Sequence, residues 1–499
     1  MKPTLAPLPR LILMSGLLAG ALPSPGAPSA PDPLEGTWSG TAESTGVTPS
    51  EQAAIGIRFQ GAADGTFAVL GYFPKAHVSA SAFGSVKADP QVKGRYAGGG
   101  GLVFDLNGNE VTGAFWGDAR VRLHRSPALP AEDEAPAAPQ GPGPLWTYQA
   151  KAGFWTRAAV AGALAYIASA DGVLHAVRLG DGLQEWECPT GAPVYDEPTV
   201  RDGVVYLTND AGFLVAVDAG SGRENWRVDI GGGKVARDLP GPSSTLWDYR
   251  ASSPELHAGV LYVGSADGGC HAIDARTHAT LWRFATAERV RSRPLVAAGR
   301  VIFAGFDGFV HALNLRSGAQ EWKVDTKGAI PSDPALAGGA VVIGSRGCRL
   351  HALRADDGSP AWTAFQWYSW VESTAVPADG RIYIGSSDLR KVRELDGATG
   401  LTRWECDVGG WCWAAPAASA GRVFIGTAGT AVRYPSSALQ PVGSLCAVDR
   451  STGQLKWRSP APSRADAYLA GYVGSPVVEG GRVVVGGLDG TLCAYPAGD

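Results

Sequence analysis

Charged and aromatic side chains gather at one position of a repeated sequence unit. Each unit has a proline, or an alanine in its place, just before an apolar run, and the three residues ahead of it differ between units. Such side chains could hold a small molecule or a peptide, because rings supply contact area and charged groups fix the orientation of a ligand. Alternatively, the charges are solvated and the rings pack the ends of the units. With neighbouring residues of the same kind, the candidate binding residues are Trp155, Arg157, Tyr195, Glu197, Arg250, Arg291, Arg293, Asp333, Trp370, Glu372, Trp411, Trp413 and Tyr472.

The sequence does not assign a catalytic residue. It contains no nucleophile elbow, phosphate-binding loop or His-Glu-x-x-His motif. A polysaccharide lyase or hydrolase, however, needs only a base and charge-neutralising groups in one cleft. The residues Arg157, Arg293, Asp333 and Glu372 would supply these groups, so we keep such an enzyme as the alternative to a noncatalytic binding site.

Histidines and cysteines do not indicate a metal site or a disulfide framework. His175, His271, His311 and His351 share one position of the repeat. Equivalent positions in adjacent units are too far apart for one ion with bonds of about 2 Å, so we predict local hydrogen bonds and no metal. The seven cysteines are scattered and odd in number, and most are predicted to fill the core.

Eight regularly spaced tryptophans indicate the elements that position the candidate residues. Each unit alternates short apolar runs with turns such as Asp267-Gly268, which is a strong hairpin signal. One unit of about 40 residues cannot bury its apolar face alone and must stack on its neighbours. The sequence therefore predicts an all-β fold, an eight-bladed propeller of four-stranded antiparallel blades over residues 145–499. The tryptophans are Trp146, Trp186, Trp226, Trp282, Trp322, Trp362, Trp404 and Trp457.

Three segments modify the regular ring. The last unit lacks its tryptophan strand, and residues 145–150 match that strand, so we expect them to complete the eighth blade. Insertions at 231–253 and 426–444 lengthen two connections. We expect the first insertion to reach the mouth of the channel and the second to leave from the opposite face.

The chain before the propeller divides into four segments. Residues 1–22 join basic residues to an apolar run, which is typical of a signal peptide. Two proline-rich linkers, 23–33 and 126–144, flank a small domain at 34–125. No cysteine precedes Cys188, so we expect no lipid anchor and no stable membrane attachment. These features predict a periplasmic or secreted protein.

The small domain is predicted to be an antiparallel β-barrel or sandwich. Its apolar residues alternate in short runs that are separated by turn residues. The opening strand, Gly36-Thr37-Trp38-Ser39-Gly40, resembles the first strand of lipocalin-like barrels. We expect Trp38 and Trp116 to fill the core, with a cavity for an apolar ligand as the alternative.

A second resemblance covers residues 145–499. The repeat of Ala-x-Asp, Thr-Gly and Trp stands nearly complete as Ala447-Val448-Asp449, Thr452-Gly453 and Trp457. It resembles the tryptophan-docking repeat of PQQ-like propellers, and in length and layout the chain is similar to the BamB-type outer-membrane assembly proteins. The resemblance implies that the tryptophans lock blades together and that the propeller is a noncatalytic scaffold for partner proteins.

The expected function is an exported, noncatalytic binding scaffold that holds a protein, peptide or glycan at the channel mouth. A net charge of −4 with 18% charged residues gives no sign of nucleic-acid binding. The quinoprotein alcohol dehydrogenases that share the repeat have two adjacent cysteines, and no two cysteines of this chain are adjacent. We therefore expect no PQQ or Ca²⁺ cofactor, and we expect a monomer.

Overall fold

The computed structural model describes residues 32–129 except 46, 49, 51, 63, 74–77 and 116–118, residues 137–430 except 242, 245 and 368, and residues 441–462 and 468–498. The predicted signal peptide, most of the first linker and Trp116 lie outside these described residues. Contacts between residues divide the described chain into two compact units, one before residue 130 and one from residue 137 onward.

The first unit is a closed antiparallel barrel in which each strand pairs with the next and β8 pairs with β1. The strands are β1 (Gly36–Ser44), β2 (Gln52–Gly61), β3 (Thr66–Phe73), β4 (Val78–Ala88), β5 (Arg95–Gly98), β6 (Val103–Asn107), β7 (Glu110–Phe115) and β8 (Ala119–Arg125). A 3-10 turn at Gly99–Gly101 lies between β5 and β6.

Aromatic residues fill the interior of this barrel. Trp38 is fully buried, its indole N–H donates to the carbonyl of Leu34 at 2.9 Å, and the Arg125 guanidinium lies 4.6 Å from its ring centroid. Phe59 and Phe104 pack edge to face with ring centroids 5.0 Å apart. The prediction that Trp38 fills the barrel core is therefore confirmed.

The second unit contains eight antiparallel sheets, as the sequence predicts. It opens with β9 (Trp146–Gln149), and the first four blades follow. They are β10 (Ala159–Ala161), β11 (Leu164–Ala168), β12 (Val173–Arg178) and β13 (Gln184–Pro189); β14 (Thr199–Arg201), β15 (Val204–Thr208), β16 (Phe213–Asp218) and β17 (Glu224–Asp229); β18 (Glu255–His257), β19 (Val260–Gly264), β20 (Gly269–Asp274) and β21 (Thr280–Ala285); β22 (Leu295–Ala297), β23 (Arg300–Ala304), β24 (Phe309–Asn314) and β25 (Gln320–Asp325).

The remaining blades continue the same order, with a fifth strand, β38, added to the seventh blade beside β35. They are β26 (Ala335–Ala337), β27 (Ala340–Ser345), β28 (Arg349–Arg354) and β29 (Pro360–Phe365); β30 (Val376–Ala378), β31 (Arg381–Gly385), β32 (Lys391–Asp396) and β33 (Thr402–Asp407); β34 (Ala417–Ala418), β35 (Arg422–Thr430), β36 (Ser444–Asp449), β37 (Leu455–Pro460) and β38 (Leu469–Gly471); β39 (Val477–Glu479), β40 (Arg482–Gly486) and β41 (Thr491–Pro496).

The first strands of the eight blades surround the axis of the propeller. Each contacts the first strand of the next blade, and the contact between β39 and β10 closes the ring. In the eighth blade, β9 pairs with β41, so strands from both ends of the propeller share one sheet. This closure leaves the ring without a terminal blade that would need a cap.

Each repeat tryptophan locks its blade onto the next one. The indole N–H of Trp186 donates to the carbonyl of Ala219 in the next blade at 3.1 Å. The turn residue Gly222 has a positive φ of 71°, and a Cβ there would lie 2.6 Å from the Trp186 ring. The close approach of the indole favours glycine here, which accounts for the Thr-Gly or Ser-Gly step of the repeat. The third blade differs, because His278 occupies this turn position with a φ of 64° and stacks on Trp226 with ring centroids 4.4 Å apart.

Between the seventh and eighth blades, a residue from before β9 packs against the repeat tryptophan, Trp457. The eighth blade has no such turn, and Gly141 takes its place, since a Cβ at Gly141 would lie 2.7 Å from the Trp457 ring. The N–H of Gly141 donates to the carbonyl of Arg458 at 2.9 Å, and the N–H of Arg458 donates to Pro139 at 3.0 Å. The residues just before β9 thus take part in closing the ring.

The prediction that the second insertion leaves from the face opposite the channel mouth is wrong. Strands alternate in direction, so the turn between the second and third strands lies at the same end as the segment entering the first strand. In the seventh blade the N–H of Trp411, before β34, donates to the carbonyl of Ala428 in β35 at 2.9 Å. The described ends of 426–444 therefore leave from the channel mouth, while residues 431–440 lie outside the described residues.

Two of the repeat histidines make local polar contacts, and the cysteines are buried in the propeller. The His175 ring lies 2.9 Å from the Tyr148 hydroxyl and 3.0 Å from that of Ser169, and His311 lies 3.0 Å from Asp307. All seven cysteines are free and buried. Within the described residues, no helix has the length and apolar character that a membrane crossing requires.

Candidate binding site at the channel mouth

The channel mouth is the ring of three-residue segments that precede the first strands of the blades. In five blades the side chain of the middle residue fastens the segment to its own blade. The hydroxyl of Ser252 accepts the N–H of Gly264 at 2.8 Å, and Ser292 accepts that of Ala304 at 2.8 Å. Middle residues of this kind hold the mouth in place, so they are positioned by the blades behind them.

At several seams the last residues of two segments link neighbouring blades. The N–H of Glu197 donates to the Ser253 hydroxyl at 2.9 Å, and the N–H of Arg293 donates to the Asp333 carboxylate at 2.7 Å. The N–H of Ala415 donates to Ser475 at 2.9 Å in the same way. These residues form a polar collar around the axis, and some of their side chains fulfil a structural role there.

The first insertion crosses the mouth as a strap, which we define as the described residues of 237–250. The Asp248 carboxylate is fully buried and accepts hydrogen bonds from Arg291 at 2.8 and 2.5 Å and from Arg289 at 2.8 Å. Burial alone would raise the pKa of Asp248, but Arg291 and Arg237 hold it below its usual value. Arg291 is therefore an anchor for the strap.

The far end of the strap is held by the fifth, sixth and seventh blades. The hydroxyl of Tyr249 donates to buried Glu372, which also accepts the Nε of Arg346 at 2.6 Å. Arg250 donates to the carbonyl of Trp413 at 2.6 Å. This part of the mouth is occupied by the protein's own side chains, and Glu372 lies beneath them.

Most aromatic candidates pack against the strap or the blades. Trp411 and Trp413 are buried and stacked, with ring centroids 5.3 Å apart and planes 6° from parallel, and Trp413 lies 5.4 Å from Trp247. Trp370 is half-buried under the Arg346 guanidinium, 4.8 Å from the Trp370 ring centroid. Tyr472 is fully buried, 3.0 Å from the Tyr495 hydroxyl. The structure does not place these rings in an open cavity.

A concavity of about 320 Å³ remains at the mouth, and we call it the mouth cavity. Six of the thirteen candidate residues share its wall, including the exposed Arg157 and the half-buried Trp155. Thr156, Ser253 and Ser475 also line it. Sequence reasoning missed these three, although Ser253 and Ser475 occupy the last segment position, as the selected Arg157 does. The six candidates are Trp155, Arg157, Tyr195, Glu197, Arg250 and Asp333.

The mouth cavity contains carboxyl groups with altered acidity. Burial raises the pKa of Asp333, although the neighbouring Arg250 opposes this shift. Beside the cavity, burial raises the pKa of Asp196 to about 8 despite its hydrogen bonds from Thr208. One carboxyl oxygen of Asp196 is buried with no hydrogen-bond partner. Perturbed carboxyl groups of this kind concentrate at functional sites.

Three of the four residues considered for a lyase or hydrolase lie in or beside the mouth cavity, and Glu372 does not. Arg157 and Asp333 line the mouth cavity, and Arg293 lies beside it, with its Nε 3.3 Å from Glu255. Glu372 is fully buried, where it is bound to Arg346 and Tyr249. A base in that position does not reach a ligand in the cavity. Among the described residues, no cluster of three metal-binding side chains is present.

The sequence profile of one protein family matches the propeller. The family is described as outer membrane protein assembly factor BamB, and its profile matches residues 137–253, 243–369 and 413–499, more than half of the chain. The chain belongs to the BamB family. No curated protein matches it at a significant level.

Solved structures share the propeller fold of this BamB-family chain at low sequence identity. BamB from Moraxella catarrhalis has a TM-score of 0.55 at 17% identity, over 71% of this chain and 99% of that chain. Sqt1 from Saccharomyces cerevisiae has a TM-score of 0.56 at 12% identity, over 71% and 99%. The quinohemoprotein alcohol dehydrogenase ADHIIG from Pseudomonas putida HK5 has a TM-score of 0.52 at 14% identity, over 71% and 76%. At these identities the likeness shows the fold alone.

Proposed function

We propose that this BamB-family protein is an exported, noncatalytic binding scaffold that holds its ligand in the mouth cavity. The family membership favours a scaffold with a protein partner in the cell envelope. A role in outer-membrane assembly is not part of the proposal, because neither the mouth cavity nor the strap specifies it. The proposal also includes the absence of a quinone cofactor.

The observation that carries the proposal is that one cavity is lined by an arginine without an internal partner in the described structure and by charged side chains that internal contacts hold in place. Arg157 is exposed and makes no hydrogen bond or ion pair with any residue that the structure describes. Arg250 and Asp333 are held in the same wall by their own contacts. A rigid polar wall beside one free cation is typical of a preorganised binding site.

The proposal predicts that binding depends on Arg157. Full-length protein immobilised on beads is incubated with envelope extract, and the retained material is quantified for the wild type and for Arg157→Glu. We expect Arg157→Glu to retain about tenfold less, because it reverses the charge of a group in the cavity wall. Since the Arg157 side chain is exposed, the variant should fold normally.

Arg316→Glu provides the matched control. Arg316 is exposed in the turn between β24 and β25, on the face of the propeller away from the mouth. The same charge reversal there should leave retention unchanged. Equal retention by the wild type and both variants would show that the mouth cavity is not the binding site.

A further inference from the structure

We infer that the mouth cavity takes a neutral sugar ring, the terminal residue of a glycan. The inference rests on the proposed function and names the chemical class of its ligand. It is carried by three features of the cavity wall, which are one aromatic platform, a balance of charges and one hydroxyl without a partner.

Trp155 supplies the aromatic platform. Its ring is half-buried and is held by Tyr195, 6.0 Å away at 63°, and by Tyr249, 6.2 Å away at 40°. The C–H face of a pyranose packs on such a ring, because both surfaces are apolar while the hydroxyl groups point outward in the plane of the sugar. A ring that is fixed before binding loses little conformational freedom when the ligand arrives.

The charges in the wall are balanced. Arg157 and Arg250 face the same cavity as Glu197 and Asp333. An anionic or cationic ligand would meet equal numbers of attractive and repulsive groups. Sugar hydroxyl groups can donate to the carboxylates and accept from the guanidinium groups, so a neutral ligand uses both kinds of side chain.

Thr156 supplies the hydroxyl without a partner. Thr156 is one of the residues in the cavity wall, and its Oγ1 is buried with no hydrogen-bond partner among the described residues. A buried polar group of this kind is costly until a ligand or a water molecule satisfies it. The mouth cavity is partly open to solvent, so the terminal ring of a glycan can contact its wall while the rest of the chain stays outside.

Ligand-observed NMR with full-length protein tests this inference. The probes are neutral di- to tetrasaccharides of glucose, galactose, mannose and N-acetylglucosamine, compared with oligogalacturonate, tetraglutamate and tetralysine. We expect at least one neutral saccharide to bind, with an affinity that changes less than about twofold between about 50 mM and about 500 mM NaCl, since salt screens only charged ligands.

Two substitutions connect the signal to the cavity. Trp155→Ala should weaken saccharide binding about tenfold, and Trp155→Phe should restore most of it, because the platform needs an aromatic face. Thr156→Val removes a hydroxyl that makes no internal hydrogen bond, so the protein should stay folded while its affinity falls about threefold or more.

The outcomes separate this inference from the proposed function. Salt-sensitive binding of a charged probe alone, or no saccharide binding while Arg157 still governs capture from envelope extract, would overturn the sugar assignment and leave the scaffold. Saccharide binding with the same affinity in the wild type, Trp155→Ala and Thr156→Val would also overturn it. Capture independent of Arg157 together with no probe binding would overturn both proposals.

Discussion

Asp196 occupies a position that serine holds in four other blades. Like Ser252 and Ser292, it accepts the N–H of the residue twelve positions later, here Thr208, at 2.6 Å. A carboxyl group does this task at a cost that a hydroxyl avoids, because burial disfavours its charged form. Burial is the main cause of its raised pKa, and the charge of Glu197, which lines the mouth cavity, adds to it.

Asp196→Asn should stabilise the propeller near neutral pH. The folded pKa is about 8 and the unfolded value is about 4, so between these values the folded protein holds a proton that the unfolded chain has lost. The free energy of unfolding therefore falls as pH rises through this window. Asparagine removes this loss, worth about 2–4 kcal/mol at about pH 7, and should give no advantage below about pH 4.

Urea unfolding at several pH values measures this effect, and Asp218→Asn is the control of opposite sign. Hydrogen bonds from Ser221 lower the pKa of Asp218, so its contribution is present above the unfolded pKa and disappears as pH falls. Asp218→Asn should therefore destabilise the protein at neutral pH. An Asp196→Asn protein no more stable than the wild type at neutral pH would contradict the burial argument.

At the scale of elements, the lock between blades and the strap differ in how far sequence predicts them. The locks were predictable, because most units carry their own turn glycine and tryptophan. The strap contacts were not, because Tyr249 and Glu372 are 123 residues apart and no local pattern pairs them. For the same reason the sequence could not separate Arg157, which lines the cavity, from Arg291, which anchors the strap.

Gly318→Ala should destabilise the propeller more than Gly299→Ala. Both glycines have positive φ, 70° and 73°, so alanine strains the backbone by about 1 kcal/mol at either position. Only at Gly318 would the new Cβ meet the Trp282 ring, at 2.6 Å, while nothing lies within 4 Å at Gly299. We expect an additional loss of about 1–3 kcal/mol from displacing the indole, measured by urea unfolding. Equal losses would show that the lock contributes nothing.

For the whole molecule, closure of the ring joins strands from both ends of the propeller. The match to the eight-bladed prediction is close because the fold depends on repeated local signals. The face of the second insertion was assigned wrongly, although the alternation of strand directions alone determines it. The binding role of the mouth stays a prediction, since the same fold occurs in structures as different as BamB and Sqt1.

Two truncations test the closure. A protein of residues 135–499 keeps β9 and Gly141, and a protein of residues 151–499 lacks both. The first should be monomeric and unfold cooperatively, whereas the second exposes the edge of β41 and should aggregate or pair with another copy. Light scattering and thermal unfolding distinguish these states. Two monomers of equal stability would mean that the closing strand is dispensable.

Hydrogen–deuterium exchange of the full-length protein, with and without the material captured from envelope extract, tests the central claim most directly. If the mouth cavity holds the ligand, exchange should slow in peptides that cover residues 155–157, 195–197 and 333, because ligand contact protects the collar backbone. Slowing confined to the barrel or to the outer strands of the blades, with the mouth unchanged, would contradict the account.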